Sequence, residues 1–199
     1  HWLKQKGFHL AALIAVMIDN PLCALTGHRI CNDCMRSCIY QKQEPVDTPQ
    51  VESRILTDIL SLPWGVEIYS LLMQWHPLRL DEYLPKVDNQ RKIAVFGLGP
   101  AGMGLAHHLS MQGATVVAMD GADIKPWPYG DVMQPIYSYS SIYESLEDRA
   151  VLGFGGVAEY GITVRWDKNL LKLVYLNLLR RQRVLLQANM RFGGSVDLD

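Results

Sequence analysis

The 199-residue sequence is 49% hydrophobic and 20% charged, the composition of a chain that buries a core rather than of a disordered one. With 19 Lys and Arg against 20 Asp and Glu, the formal net charge is −1, so no global field draws the chain to nucleic acid or anionic lipid. The sequence opens on His1 rather than Met and stops at Asp199, shortly after Gly193-Gly194, which leads us to expect a fragment of something longer.

Leu10 to Ile18 is an unbroken apolar run of nine residues. As a helix it would reach about 14 Å against roughly 30 Å of bilayer hydrocarbon, so it does not span a membrane. Lys4 and Lys6 supply the positive start of a signal peptide, but Asp19-Asn20-Pro21 stands where a small-residue cleavage site belongs. The run reads as a buried helix stopped at Pro21.

All four cysteines follow within sixteen residues, as Cys23, Cys31, Cys34 and Cys38 in the spacing C-x7-C-x2-C-x3-C. Disulfides suit a short secreted scaffold, yet this chain has no convincing secretory signal and enough apolar content to fold without staples. Structural zinc prefers two C-x2-C pairs, and only Cys31 and Cys34 make one. Short, unequal spacings suit a wrapped loop around a [4Fe-4S] cluster, the reading favoured here. The alternative is that some of the four are buried small hydrophobes, Cys23 first among them. His28 reads as a loop histidine, with tuning of a cluster potential as its functional alternative.

Thr48 followed by Pro49 predicts a helix N-cap with proline at the first helical position. Val51, Ile55, Ile59 and Leu62 then recur at helical spacing up to Pro63. A second helix is expected from Val66 to Trp75, ending at His76-Pro77. The polar run from Pro85 to Lys92 reads as a linker. It divides the chain into a mostly helical cysteine-cluster domain, 1–90, and an α/β Rossmann-like domain, 91–199.

Lys92 to Phe96 predicts a strand, Gly97-Leu98-Gly99-Pro100-Ala101-Gly102 a glycine turn opening a helix, and Thr115 to Met119 a second strand ending on Asp120, 23 residues after Gly97. Gly97 permits the turn, Gly99 lets backbone approach a pyrophosphate, and Gly102 lets the helix lie close to the sheet. The phosphates would sit at the helix N-terminus near Pro100 and Ala101, where N–H groups and the dipole favour negative charge. Asp120 would accept from the ribose hydroxyls, which disfavours a 2′-phosphate and hence NADP. The pattern by itself does not separate FAD from NAD, since both present the same adenosine diphosphate half. His107 and His108, farther along that helix, read as packing or surface residues rather than catalytic ones.

From Asp120 to Leu152 the sequence is rich in Pro, Tyr and Ser, including Pro126-Trp127-Pro128, with a capping box Ser141-x-x-Glu144. Trp127 and Tyr129 read first as packing, and second as a cover for a flavin or partner. Gly155-Gly156 offers a second close backbone approach. Asp167 is expected to cap a helix reaching Arg181, and Arg183 to Gln187 a further strand.

The cysteine loop, Gly97 to Gly102, Asp120 and Gly155-Gly156-Val-Ala-Glu-Tyr160-Gly161-Ile162 together resemble the glutamate synthase small-subunit family, which includes the matching half of dihydropyrimidine dehydrogenase. The resemblance covers roughly residues 28 to 199. It implies a helical iron–sulfur domain followed by an FAD-binding domain, truncated before an NAD(P)H-binding domain. Cys31, Cys34 and Cys38 would be metal ligands, joined by Cys23 on the reading of the cysteine spacing, and Gly97, Gly99, Pro100, Ala101, Gly102, Asp120, Gly155 and Gly156 the FAD contacts. Arg165 and Lys168 resemble the basic residues that follow in the family. The chain departs from the pattern in a longer gap between Asp120 and Gly155, in Thr163 where the family has proline, in the cysteine spacing, and in lacking the upstream cysteine segment. The implied activity is a flavin-dependent oxidoreductase that takes hydride from NAD(P)H and passes electrons to a [4Fe-4S] cluster, with no acid–base residues assigned. An electron-acceptor subunit or second oxidoreductase domain is the expected partner, with neither nucleic acid nor membrane, in the cytoplasm. The alternative is a zinc-stabilised, NAD-binding regulatory or electron-transfer scaffold subunit.

Overall fold

The apolar run near the N-terminus folds as a helix that buries one face. In a computed structural model, which describes residues 2–26, 33–79, 85–121, 133–138, 179–191 and 193–194, a short α1 (Trp2–Gln5) leads into α2 (His9–Met17). Ala12, Leu13 and Met17 are buried there, while Leu10 is exposed. Two single turns follow, α3 (Cys23–Thr26) and α4 (Asp33–Arg36).

Asp47, rather than the expected Thr48, caps α5 (Thr48–Leu60): its Oδ1 accepts from the Gln50 N–H at 3.0 Å. A carboxylate serves the opening N–H groups as well as a hydroxyl does, and Pro49 still falls in the first turn, where no helical partner is lost. Ile55, Leu56, Ile59 and Leu60 form the buried stripe of this helix. It ends at Leu60, so Leu62, expected on the same stripe, lies in the turn and is exposed. Gly65 makes the corner, because a Cβ there would stand 2.1 Å from the Ile59 carbonyl oxygen. The chain bends by 118° between α5 and α6 (Gly65–Gln74). Among the described residues no single helix is long and apolar enough to cross a membrane.

Beyond α6, His76 ties the helices together. Its Nδ1 accepts from the Leu78 N–H at 3.2 Å, which leaves Nε2 to donate to the Ile14 carbonyl at 2.8 Å. Arg79 donates through Nε to the Ile18 carbonyl at 3.1 Å, closing the C-terminal end of α2.

β1 (Lys92–Phe96) and β2 (Thr115–Met119) pair in parallel from Lys92 opposite Thr115 to Phe96 opposite Met119, with α7 (Pro100–Met111) as the connection between them. β3 (Val184–Gln187) adds to the other side of β2, also parallel, from Val116 opposite Val184 to Met119 opposite Gln187. The polar run before β1 is laced to the end of α7: Lys86 N–H donates to the Met111 carbonyl and Asn89 N–H to the Gly113 carbonyl. Gly113 has φ +91°, and a Cβ on it would stand 2.2 Å from the Val87 carbonyl oxygen, so only glycine fits this return.

Apolar residues of the helices, α7 and the sheet form one continuous cluster, from Leu13, Met17 and Tyr69 through Leu98 and Met103 to Val116, Ala118 and Val184. A polar clamp adds to it. Glu67 on α6 accepts from Arg181 Nη1 and Nη2, at 3.0 and 3.2 Å, and from the Ile136 N–H at 2.7 Å.

Candidate dinucleotide site

The site is built at the ends of β1 and β2. Gly97 N–H donates to the Met119 carbonyl at 2.8 Å, carrying the ladder one residue past β1. Gly97 then takes φ +86°, a left-handed conformation that favours glycine and turns the chain out of the sheet. Leu98 is fully buried and pins the loop to the core. Gly99, at φ −69° and ψ −179°, is the N-cap of α7 and contributes no capping side chain. Any residue adopts that backbone conformation, so the turn itself does not require glycine there. What glycine provides is a loop surface bare of side chain, next to Pro100, which has no N–H, and to the N–H groups of Ala101 and Gly102 that open the helix.

Gly102 is fixed by packing. A Cβ on it would lie 1.8 Å from the Gly97 carbonyl oxygen and 3.7 Å from Val95 Cγ1. The helix can approach the turn this closely only without a side chain at that position. Two residues on, an added Cβ at Gly104 meets, among the described residues, only Leu22 Cδ1, at 3.3 Å.

Both backbone groups of Asp120 are held from the β3 side: its N–H donates to the Gln187 carbonyl at 2.9 Å and its carbonyl accepts from the Met190 N–H at 3.0 Å. Its Oδ2 accepts from the Leu98 N–H at 2.8 Å. The acid and the glycine turn, 22 residues apart in sequence, are thereby joined into one structure. The carboxylate edge lies beside bare backbone and a helix N-terminus, a combination suited to ribose hydroxyls on one side and a diphosphate on the other. The residues present therefore fit the adenosine diphosphate half of a dinucleotide.

Sequence reasoning gave no role to Leu98, the apolar residue between the glycines, whose burial is the signal that could have marked it. Nor did it give one to Arg191. Its side chain crosses Gly121, with Cγ and Nε each 3.3 Å from where a Cβ on that glycine would stand.

His107 lies outside this arrangement, in the core. Its Nδ1 meets the Gln182 side-chain oxygen at 2.8 Å, and burial pushes its pKa down to about 4, against a smaller raising effect of the Gln182 hydrogen bond. Gln182 Nε2 is buried with no hydrogen-bond partner. His108 is exposed on the same helix.

The cysteines part company. Cys23 is buried, and its thiol donates to the Tyr69 hydroxyl at 3.9 Å. That hydroxyl in turn accepts from the Ala24 N–H and donates to the Pro21 carbonyl at 2.6 Å. Burial pushes the Cys23 thiol up to about 12, with the Glu52 carboxylate adding to the rise and the Tyr69 hydrogen bond opposing it. These surroundings are those of the packed small side chain that the sequence left open as the alternative for Cys23. Cys34 is exposed on α4, and Cys38 is half-buried with its sulfur accepting from the Tyr40 N–H at 3.4 Å. Among the described residues no group of three or more His, Cys, Asp or Glu side chains is gathered to hold a metal ion. Cys31 and His28 lie outside the described residues, as do Gly155, Gly156, Tyr160 to Ile162, Arg165, Asp167 and Lys168.

No family model matches the sequence. The chain is 50% identical over 157 residues to uncharacterized protein RP006 of Rickettsia prowazekii (strain Madrid E), an alignment covering 79% of this chain and 22% of that protein. The chain thus spans about a fifth of the length of the curated relative it matches.

Proposed function

We propose that this chain carries the dinucleotide-binding part of a flavin-dependent oxidoreductase resembling the glutamate synthase small subunit, with FAD as the occupant of the site at Gly97 to Gly102 and Asp120. The observation that carries the reading is the bond from the Leu98 N–H to Asp120 Oδ2 at 2.8 Å, which sets a carboxylate against the glycine turn at the start of α7. When bound, the flavin supplies the hydride and electron chemistry. The chain's own residues bind and orient. Gly99 leaves room for a diphosphate, Gly102 lets the helix close on the turn, the Ala101 and Gly102 N–H groups face the diphosphate, and Asp120 accepts from the ribose. In this reading NAD(P)H, an electron-acceptor subunit and a [4Fe-4S] cluster belong to the longer protein. Cys23, Cys31, Cys34 and Cys38 are the thiols this chain offers to the cluster, with packing in the core beside Tyr69 as the alternative role of Cys23.

The test is titration of the purified protein with FAD, NAD and NADP, together with analysis of released flavin, iron, sulfide and zinc. Bound or tightly binding FAD, lost in Gly99→Val, is the expected result. Retained binding in that variant would reject the phosphate-loop reading, since a branched side chain would stand where the pyrophosphate lies. NAD binding with zinc and without flavin would replace the oxidoreductase by a zinc-stabilised regulator or scaffold.

A further inference from the structure

The end of β2 carries a second feature. Gly121 follows Asp120 directly, and the Arg191 side chain runs along it, its Cγ and Nε both 3.3 Å and its Cδ 3.8 Å from the position of a Cβ on that glycine. Three nearly equal distances along one side chain describe an arginine laid lengthwise over backbone rather than one projecting into solvent. The arginine is anchored at its own base. Met190 N–H donates to the Asp120 carbonyl at 3.0 Å, and Gly194 N–H donates to the Arg191 carbonyl at 3.2 Å, closing a turn that begins at Arg191. The side chain is exposed along this path and forms no ion pair with a described carboxylate. The arginine crosses the residue that follows Asp120, and without an ion pair to a described carboxylate its guanidinium is open to a planar partner.

We propose that Arg191 is the adenine-facing wall of the dinucleotide site, its guanidinium stacking on the adenine ring of a nucleotide whose ribose is held by Asp120. The inference rests on the dinucleotide reading of Gly97 to Gly102 and Asp120. It follows from order along the groove: the diphosphate lies at the helix N-terminus, the ribose at Asp120, and the base beyond the ribose, where Gly121 and Arg191 form the floor and wall. A guanidinium is planar, delocalised and weakly hydrated, so it stacks on a base in a way that a lysine ammonium cannot. Glycine at 121 has a reason in the same arrangement, since a larger side chain would lift the arginine off the floor.

The experiment is equilibrium titration of the full-length protein and its variants with FAD, NAD, NADP and flavin mononucleotide, which lacks adenosine. Arg191→Ala is expected to weaken FAD and NAD by a similar factor, about tenfold, with thermal stability unchanged because the side chain is exposed. Arg191→Lys should recover little of that loss, while Arg191→Phe, planar and uncharged, should keep most of the affinity. Gly121→Val should reproduce the loss, and combining it with Arg191→Ala should add nothing further. Unchanged affinity of Arg191→Ala for both FAD and NAD would overturn the proposal while leaving the dinucleotide reading intact. A loss confined to NADP, or full rescue by lysine, would also overturn it, by making Arg191 a phosphate or charge receptor. If the unaltered protein binds no adenine dinucleotide, the site reading and this inference fall together.

Discussion

Two glycines of α7, two positions apart, should respond to alanine with opposite signs. At Gly102 a new Cβ would stand 1.8 Å from the Gly97 carbonyl oxygen, more than an ångström inside any tolerated contact. The obstructing atom is backbone, and Gly97 is itself committed to φ +86°, so neither side can yield cheaply. The helix must back away from the turn, at the 1–3 kcal/mol typical of overpacking or somewhat beyond. In the proposed site the same retreat moves the Ala101 and Gly102 N–H groups off the diphosphate. Losing one hydrogen bond to a charged group, at about 1.5–3 kcal/mol, weakens binding roughly tenfold to a hundredfold. At Gly104 the only neighbour of an added Cβ among the described residues is Leu22 Cδ1, the far end of a flexible side chain at 3.3 Å. There alanine should stabilise the helix interior by about 0.5–1 kcal/mol and leave binding unaltered. Urea unfolding midpoints, with FAD and NAD titrations on each variant, test both effects. Equal midpoints and equal affinities for the two variants would refute the claim that Gly102 sets the distance between helix and turn.

Asp120→Ala should cost about 1–3 kcal/mol of stability, because the N–H of fully buried Leu98 loses its acceptor. Asp120→Asn should retain that stability and still bind dinucleotide more weakly; chemical denaturation would separate the two, and an equal drop in both would discount the Leu98 bond. On acidification from its ordinary pKa of 6.5 to its folded value of about 4, the unfolded chain protonates His107 before the folded one does. Stability should therefore fall across that window, on the order of 3 kcal/mol from this residue, and be fully present above it. His107→Gln should flatten that part of the profile of denaturation midpoint against pH, and an unchanged slope would count against the burial argument. In metal-free protein, iodoacetamide should label exposed Cys34 readily and Cys23 only after unfolding, since burial holds the Cys23 thiol at about 12. Mass spectrometry of the labelled peptides reads the order, and early labelling of Cys23 would contradict its place in the core.

What could be read from the chain was whatever is decided within a few residues. β1, α7 and β2 follow from apolar runs whose period changes at Gly97 and again at Gly113, and β3 from the short apolar run at Val184 to Gln187. Helix ends were less legible: Asp47 and Thr48 are both good caps, and only the 3.0 Å bond to Gln50 chooses between them. Leu62 continued the apolar spacing in sequence, but the helix ends at Leu60, ahead of the corner at Gly65. The burial of Cys23 could not be read from spacing. Its spacing grouped it with the other cysteines, whereas its surroundings are set by Tyr69, 46 residues away. Arg191 was invisible for the same reason, because its meaning depends on lying over Gly121, on a different strand connection.

The site and the core are linked through α7. Its first turn faces the glycine loop, while Met103, Ala106 and His107 on the following turns are buried. Its outer approach at Gly104 meets Leu22, which precedes the turn carrying Cys23 and Tyr69's partners. The position of the Ala101 and Gly102 N–H groups, which the proposed function sets against the diphosphate, therefore depends on packing from both the sheet and the N-terminal helices. Asp120 has no such freedom, since its backbone bonds reach Gln187 and Met190 and its side chain reaches Leu98. A rigid acid on the sheet opposite a helix buttressed from outside means that changes in the helical half act on the diphosphate end of the groove before they act on the ribose end. Loosening at Leu22 or Tyr69 should weaken ligands in proportion to their phosphate contacts, and bare adenosine, which lacks those phosphates, should be the least affected.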